Sequence, residues 1–279
     1  MTVINTNTGS LYAQQAMTTN ARGLSTVMQQ LSTGKRINNA VDDVAGMAIS
    51  TRLTSQIRGL NQAVRNTNDG ISLIQTAEGA TEQVTNMLQR MRELAVQASN
   101  DTNNSSDRTY LDLEFQALTS QIGNIASNTQ WNGADVLNKN GGTSGKFTFQ
   151  VGANSGQSIS IQFSNMTTEA NKGALSDIAT QNVTSTSTSS AALGVIISAL
   201  DTVSLERSNM GAVISRLQFT GDNLANVSAK AQESRSRIED TDYSQATTEL
   251  AKRNIIQQAA QAMLAQANQQ PQSVLQLLR

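Results

Sequence analysis

Residues 60–98 read LNQAVRNTNDGISLIQTAEGATEQVTNMLQRMRELAVQA, and this stretch decides the fold class. Its apolar and small residues recur every three or four positions, which is the spacing of one face of an α-helix. A stripe that continues for roughly ten turns indicates coiled-coil packing. The stripe consists of Leu60, Val64, Thr67, Ile71, Ile74, Ala77, Thr81, Val84, Leu88, Met91, Ala95 and Ala98.

Helical spacing also appears on both sides of this stretch. The polar run 100–107 ends the first helix, and a second helix is predicted from about Thr109 to Ser127. Apolar spacing returns from Leu193 to Ile238 and continues more weakly from Tyr243 to Arg279. We therefore predict a mainly α fold, in which long antiparallel helices form a coiled-coil or helical-bundle rod.

The two ends of the chain are poor in charge. Arg22 is the only charged residue of 1–34, and residues 254–278 contain none. Weakly amphipathic helices of this kind gain most of their stability from packing, and the cores of subunit interfaces are depleted of charge. We expect both ends to be disordered or frayed in the monomer and to pack together in an assembly.

The segment 138–190 has a different character. Apolar and polar residues alternate in Lys146–Val151 and Ser158–Phe163, and Asn154-Ser155-Gly156 lies between these runs, so we predict a β-hairpin. The Ser/Thr run at 184–190 is predicted to be a surface loop.

Composition excludes several classes of function. The 279 residues include no Cys and no His, which leaves no thiolate metal site, HExxH motif or Ser-His-Asp triad. We expect no enzyme activity, cofactor or metal. The net charge of -1 gives no reason to expect nucleic acid. The longest nearly apolar run, 191–200, is too short for a bilayer, and the first 21 residues lack the cations of a Sec-type signal peptide.

Three short patterns resemble binding or catalytic motifs but favour structural roles. The run 140–146 is one residue short of a phosphate loop, and 101–112 lacks the glycine and glutamate of an EF-hand, so both are predicted to be turns. The acidic clusters Asp42-Asp43 and 239–242 could supply an acid and a base. Charges at helix N-termini or intersubunit ion pairs are the favoured interpretation.

Two further sets of residues lie on helical faces. The methionines Met17, Met28, Met47, Met87 and Met91 are predicted to be core residues. Arg90 and Leu94 are four residues apart and share a face, with Glu114 expected nearby on the next helix. Spacing alone favours a solvated helix face for this last set.

Much of the chain resembles bacterial flagellin. The matching motifs are LSTGKRIN at 31–38, DDVAGMAI at 42–49, NDGISLIQTAEGA at 68–80, SRIEDTDY at 236–243 and QANQ at 266–269. They stand in the family's order and cover about 1–137 and 193–279.

This resemblance implies a structural subunit that polymerises into the helical flagellar filament, the propeller of swimming bacteria. Residues 1–45 and 237–279 would form a terminal inner-tube domain. Residues 46–236 would form an outer-tube helical domain, with 138–190 as a small β-hairpin and loop insert. The polymerisation helices would include Leu24, Met28, Leu31, Ile255, Met263 and Leu277.

The resemblance also implies partners and a location. The chain would be exported unfolded by the flagellar type III system, without a cleaved signal peptide, and would be extracellular. Its partners would be itself, the flagellar cap and hook-associated proteins, and an export chaperone bound at the C-terminal helix. A vertebrate Toll-like receptor would recognise Arg90, Leu94 and Glu114, which would also contact neighbouring protofilaments. Two alternatives remain open: a hook–filament junction protein and a surface adhesin that uses 138–190.

Overall fold

The computed structural model describes residues 6–168 and 173–276, with side chains described up to residue 269. Within these residues the chain forms long α-helices and two small antiparallel sheets, which confirms the predicted mainly helical fold with a β-hairpin. The helices are α1 (Thr8–Thr33), α2 (Val44–Ala98), α3 (Ser105–Asn128), α4 (Thr186–Glu239) and α5 (Tyr243–Gln276). The strands are β1 (Gln130–Trp131), β2 (Ala134–Asp135), β3 (Lys146–Gln150) and β4 (Ser158–Gln162), and Ser176–Thr180 forms a short 3-10 helix.

The chain divides into two compact units. Unit 1 comprises Met1–Ile57 and Ala229–Arg279, and unit 2 comprises Arg58–Ser228. The divisions therefore fall inside α2 and α4, whereas the sequence placed them at 45/46 and 236/237.

The core of unit 2 is built on the apolar stripe of α2. Every member of the predicted stripe is buried except Val64 and Ile71, which are half-buried, so the predicted helix face is confirmed. Phe115 and Ile122 of α3 and Ile196 and Val203 of α4 belong to the same buried cluster. Side chains from α2, α3 and α4 thus interlock in one core that unit 2 completes by itself.

The predicted hairpin also contributes to this core. β3 and β4 pair antiparallel, with Phe147 opposite Ile161 and Phe149 opposite Ile159. Gly70 of α2 is buried beneath Phe149, where a Cβ would lie 3.0 Å from the ring atom Cγ. A side chain at position 70 would push the hairpin away from α2.

The patterns at 101–112 and 140–146 are structural, as predicted. Asn104 and Asp107 form a capping box at the start of α3, because each side chain accepts a hydrogen bond from the other residue's backbone N–H. The segment 140–146 is a turn before β3, and Gly142 and Gly145 adopt left-handed conformations there.

The prediction of a surface loop at 184–190 is wrong. α4 begins at Thr186, and Ser189 is buried. The Ser185 and Thr188 side chains each accept a hydrogen bond from the other's backbone N–H, at 3.2 and 3.1 Å. The Ser/Thr run is a helix start, because hydroxyls that disfavour helix interiors satisfy the free N–H groups of the first turn.

Two small elements were not predicted. β1 and β2 form a two-residue hairpin whose turn residues, Asn132 and Gly133, both have positive φ. The second element is the 3-10 helix, whose Ile178 is buried.

Candidate functional site

Unit 1 is built around the antiparallel contact between α1 and α5. Asn20 is buried in α1, and its Nδ2 donates to the Arg253 carbonyl oxygen at 2.9 Å and to Gln257 Oε1 at 3.0 Å. A buried Asn in a helix pair fixes the register, because any shift would leave its amide without partners.

Hydrogen bonds at both ends of the pair fix the same register. Asn7 Nδ2 donates to the Ala267 carbonyl oxygen at 2.7 Å, and the Tyr243 hydroxyl donates to the Leu31 carbonyl oxygen at 2.9 Å. Within the described residues the charge-poor ends therefore form helices that pair with each other inside one chain. The fraying of these helices in the monomer stays a prediction. Pairing within the chain supplies the packing partner that each weakly amphipathic helix lacks alone.

The side of α5 that faces α1 is partly polar. Arg253, Gln257, Ala260 and Leu264 recur at helical spacing and are half-buried. An added Cβ at Gly23 would meet the Arg253 guanidinium, which shows how closely this side chain crosses α1.

A second set of apolar side chains on α5 faces solvent. Ile255 is 66% exposed, Met263 is 64% exposed, and the intervening Ala259 is exposed as well. In a helix that packs only within its own chain, the apolar residues would lie on the side of the partner helix. α5 instead has apolar residues on both sides, because Ala246 is buried and Leu250 is half-buried while the monomer leaves Ile255 and Met263 uncovered.

The predicted polymerisation residues accordingly fall into two groups. Leu24 and Leu31 are half-buried in α1, whereas Met28 is 56% exposed and resembles Ile255 and Met263. Leu277 lies outside the described residues.

The prediction that five methionines are core residues is correct for Met91, which is fully buried, and wrong for Met28 and Met47, which are exposed. Met17 and Met87 are half-buried. The spacing of these methionines shows that they lie on helical faces, but it does not show which of those faces are buried in the monomer.

A second polar cluster joins the segment after α1 to the end of α4. The Arg36 N–H donates to the Glu239 carbonyl oxygen at 2.6 Å, and the Thr241 N–H donates to the Gly34 carbonyl oxygen at 2.9 Å. The Glu239 carboxylate pairs with Lys35 and accepts a hydrogen bond from the Ser50 hydroxyl. These contacts, Lys35 first and then Ser50, lower the pKa of Glu239.

The acidic clusters have structural roles, in keeping with the favoured interpretation. Asp43 Oδ1 accepts from the Gly46 N–H at 2.8 Å at the start of α2, and Asp242 Oδ1 accepts from the Ser244 N–H at 2.9 Å at the start of α5. Glu239 pairs with Lys35 within the chain rather than between subunits. Among the described residues, no three acidic side chains come close enough together to hold a metal ion.

The patch around Arg90 lies on unit 2. Arg90 Nε donates to Glu114 Oε1 at 2.9 Å, and Nη1 donates to Glu93 Oε2 at 2.9 Å. The hydrogen bond to Glu114, followed by that to Glu93, raises the pKa of the Arg90 guanidinium. The structure thus brings Arg90 and Glu114 together on the surface, with their side chains 49% and 45% exposed.

Leu94 does not belong to this surface. Its side chain is only 1% exposed and packs in the core of unit 2. Leu94 therefore lacks the exposed side chain that direct contact with a partner requires, although it lies only one turn from Arg90. Its role in recognition stays a prediction. Leu94 can affect Arg90 only by holding α2 in place.

α4 contains a window that is long and apolar enough to cross a bilayer, with a mean hydropathy of 1.4. The run counted from the sequence, 191–200, was shorter. Ala192, Ile196, Ala199 and Val203 of this helix are buried in the core of unit 2, and 28% of the window is buried in all.

Two family models match the chain. The bacterial flagellin N-terminal helical region matches residues 4–141, and the bacterial flagellin C-terminal helical region matches residues 193–278. The chain belongs to the bacterial flagellin family. Flagellins are structural proteins of the extracellular flagellar filament, so this chain is a structural subunit of that filament.

Individual flagellins support this assignment. The flagellin of Halalkalibacterium halodurans is 46% identical over 99% of this chain and 100% of its own length. Polar flagellin F of Vibrio parahaemolyticus is 48% identical over 60% of this chain but only 43% of its own length. The crystal structure of Bacillus cereus flagellin matches with a TM-score of 0.51 and 30% identity, over 57% of this chain and 88% of that one.

Sequence reasoning missed Asn20 as a determinant of the α1–α5 register. The sequence does contain an indication, since Asn20 lies three residues after Met17 and four before Leu24 in an otherwise apolar stripe. A single Asn at such a position is typical of register control in helix pairs.

The Glu239 cluster predicts how stability depends on pH. Because the pKa of Glu239 is lowered in the folded state, the ionised carboxylate stabilises the fold above its unfolded pKa of about 4.3. This stabilisation is lost as the pH falls through that value towards the folded pKa. We expect Glu239→Gln to lower the free energy of unfolding at pH 7, and the difference from wild type to shrink below about pH 4.

Urea denaturation of both proteins at a series of pH values measures this difference. Asp222→Asn, at an exposed position of α4, is the matched control and should change the unfolding free energy little at any pH. A Glu239→Gln difference that stays constant between pH 7 and pH 3 would contradict the assigned role.

Proposed function

We propose that this flagellin polymerises through the outer faces of α1 and α5, which a neighbouring copy of the chain covers. The observation that supports this most strongly is the uncovered apolar surface of the two helices, on which Met28 of α1 and Ile255 and Met263 of α5 face solvent. A second copy is the fitting occupant, because the family forms homopolymers and both faces are almost free of charge.

Modest contacts suffice for such a polymer. Complete burial of an Ile or Met side chain contributes about 1.5–3 kcal/mol, and Met28, Ile255 and Met263 recur in every subunit. Interfaces that do not close on themselves repeat along an open helical lattice, so small contributions add up over the filament.

The same proposal includes the export route and the partners. The chain is exported unfolded by the flagellar type III system without a cleaved signal peptide, is added beneath the cap, and contacts hook-associated proteins. An export chaperone covers the exposed side of α5 before assembly. The absence of Cys supports export of an unfolded chain, because no disulfide can form before or during export. To check this route, secretion is compared between cells that have an intact flagellar export apparatus and cells that lack it. Secretion should require the apparatus.

Charge placed on the outer face of α5 should block polymerisation. In Ile255→Asp/Met263→Asp the interface must bury two carboxylates, so we expect the seeded elongation rate to fall at least about tenfold. The monomer should keep its helix content, because both positions are exposed. Electron microscopy and light scattering after seeding measure elongation, and circular dichroism measures helix content.

The matched control is Ser160→Asp, which adds charge to the exposed polar face of the hairpin and should elongate normally. Normal elongation of the double variant would refute the role of the α5 face. If wild-type protein fails to extend seeds into long filaments, the hook–filament junction alternative is favoured instead.

We also propose that a vertebrate Toll-like receptor recognises flagellin monomers through Arg90 and Glu114. The support is their exposed, paired arrangement, which presents a fixed guanidinium and carboxylate. In the filament the same patch contacts a neighbouring protofilament, so polymerised protein does not signal.

Loss of the guanidinium should weaken recognition. We expect Arg90→Ala to raise the half-maximal signalling concentration at least about tenfold, the range of an interface hot spot. Leu94→Ala should also reduce signalling, through loosened packing of α2, and should lower the unfolding free energy. A receptor-reporter cell assay measures the response, with Arg216→Ala at an exposed position of α4 as the control. Unchanged signalling by both Arg90→Ala and Leu94→Ala would refute the proposal.

A further inference from the structure

The sulfur atoms of this chain are distributed unevenly. The chain has nine Met and no Cys, so the methionine thioethers are its only sulfur groups. Met91, Met166 and Met210 of unit 2 are fully buried. Met28 and Met263, by contrast, are exposed on the helix pair of unit 1.

The surroundings of these two thioethers are apolar or uncharged. Met263 lies one helical turn from Ala259 and two turns from Ile255. No charged residue occurs between 254 and 278, and Arg22 is the only one in 1–34. A polar group created on either thioether would therefore meet no cation from its own helix segment.

We propose that Met28 and Met263 are a pair of oxidation sites through which a peroxide switches off assembly. The proposal rests on the proposed polymerisation through α1 and α5. Two different helices each expose one thioether on the surface that a neighbouring copy covers.

The chemistry is a two-electron oxygen transfer. The thioether sulfur attacks one oxygen of hydrogen peroxide, the O–O bond breaks, and an S–O bond forms. The thioether is oxidised to a sulfoxide. The departing hydroxide takes the proton of the transferred oxygen and leaves as water. A methionine sulfoxide reductase reverses the change with a dithiol, which becomes a disulfide as the oxygen leaves as water.

Oxidation acts on assembly because a sulfoxide is strongly polar. In the free monomer water solvates the new oxygen, so the fold of the subunit is unaffected. In the interface the same oxygen would be buried against apolar or uncharged side chains, and an unsatisfied buried acceptor is costly. The filament in turn shields both thioethers, so assembled subunits resist oxidation.

The experiment treats monomers with hydrogen peroxide, maps each methionine by mass spectrometry and then measures seeded polymerisation. We expect sulfoxide at Met28 and Met263 before Met91, Met166 and Met210, and a rise of about tenfold in the critical concentration. Treatment with methionine sulfoxide reductases should restore polymerisation. Filaments treated in the same way should be protected at Met28 and Met263.

Two double variants identify the responsible thioethers. Met28→Leu/Met263→Leu keeps apolar side chains of similar size, and its critical concentration should be the same before and after peroxide, even though the exposed Met47 is oxidised in it. The matched control, Met91→Leu/Met210→Leu, retains the exposed pair and should remain sensitive. Equal sensitivity of the first variant and wild type would overturn the proposal.

Untreated wild-type protein separates this proposal from the proposed function. If untreated protein extends seeds and fully oxidised protein does so equally well, only the oxidation switch is refuted. If untreated protein does not extend seeds, polymerisation through α1 and α5 fails, and the switch fails with it.

Discussion

The contact between α1 and α5 is the interaction on which unit 1 depends, and polar side chains within it set its register. Asn20 donates to the Arg253 carbonyl oxygen and the Gln257 side chain, and Asn7 donates to the Ala267 carbonyl oxygen. Such contacts specify register well but contribute little net stability, because they replace hydrogen bonds to water. Other apolar side chains of α1 and α5 are buried or half-buried in the pair, but Ile255 and Met263 remain in solvent. Unit 1 thus has a register set by its own sequence and an apolar outer surface that the monomer leaves uncovered.

Unit 2, by contrast, is held together mainly by buried apolar side chains. Its three helices and its hairpin bury a continuous set of aliphatic and aromatic side chains, with Phe115, Leu88 and Ile196 at its centre. This division of labour suits a polymer subunit. Unit 2 has a complete apolar core within one chain, and under the proposed function neighbouring copies cover the outer surface of unit 1. Among the described residues, the exposed methionines Met28, Met47 and Met263 all lie in unit 1.

Much of the fold could be predicted because its periodicities are long. The α2 stripe, the hairpin and the C-terminal helix all lie where their patterns placed them. The Ser/Thr run at 184–190 was misjudged, because the same hydroxyls serve loops and helix starts. Which stripe is covered could not be predicted: Leu94 and Arg90 lie one turn apart, yet one is buried and the other is exposed. Periodicity defines a helix face, whereas the burial of that face depends on residues distant in the sequence.

Hydrogen–deuterium exchange of the backbone amides, compared between monomer and filament, tests the incompleteness of unit 1 most directly. In the monomer we expect the amides of α1 and α5 to exchange much faster than those of α3 and the part of α2 in unit 2, because few apolar contacts oppose local opening. In the filament the amides of α1 and α5 should become as protected as that core. Equal protection of α1 and α5 in both forms would contradict the idea that neighbouring copies complete this helix pair.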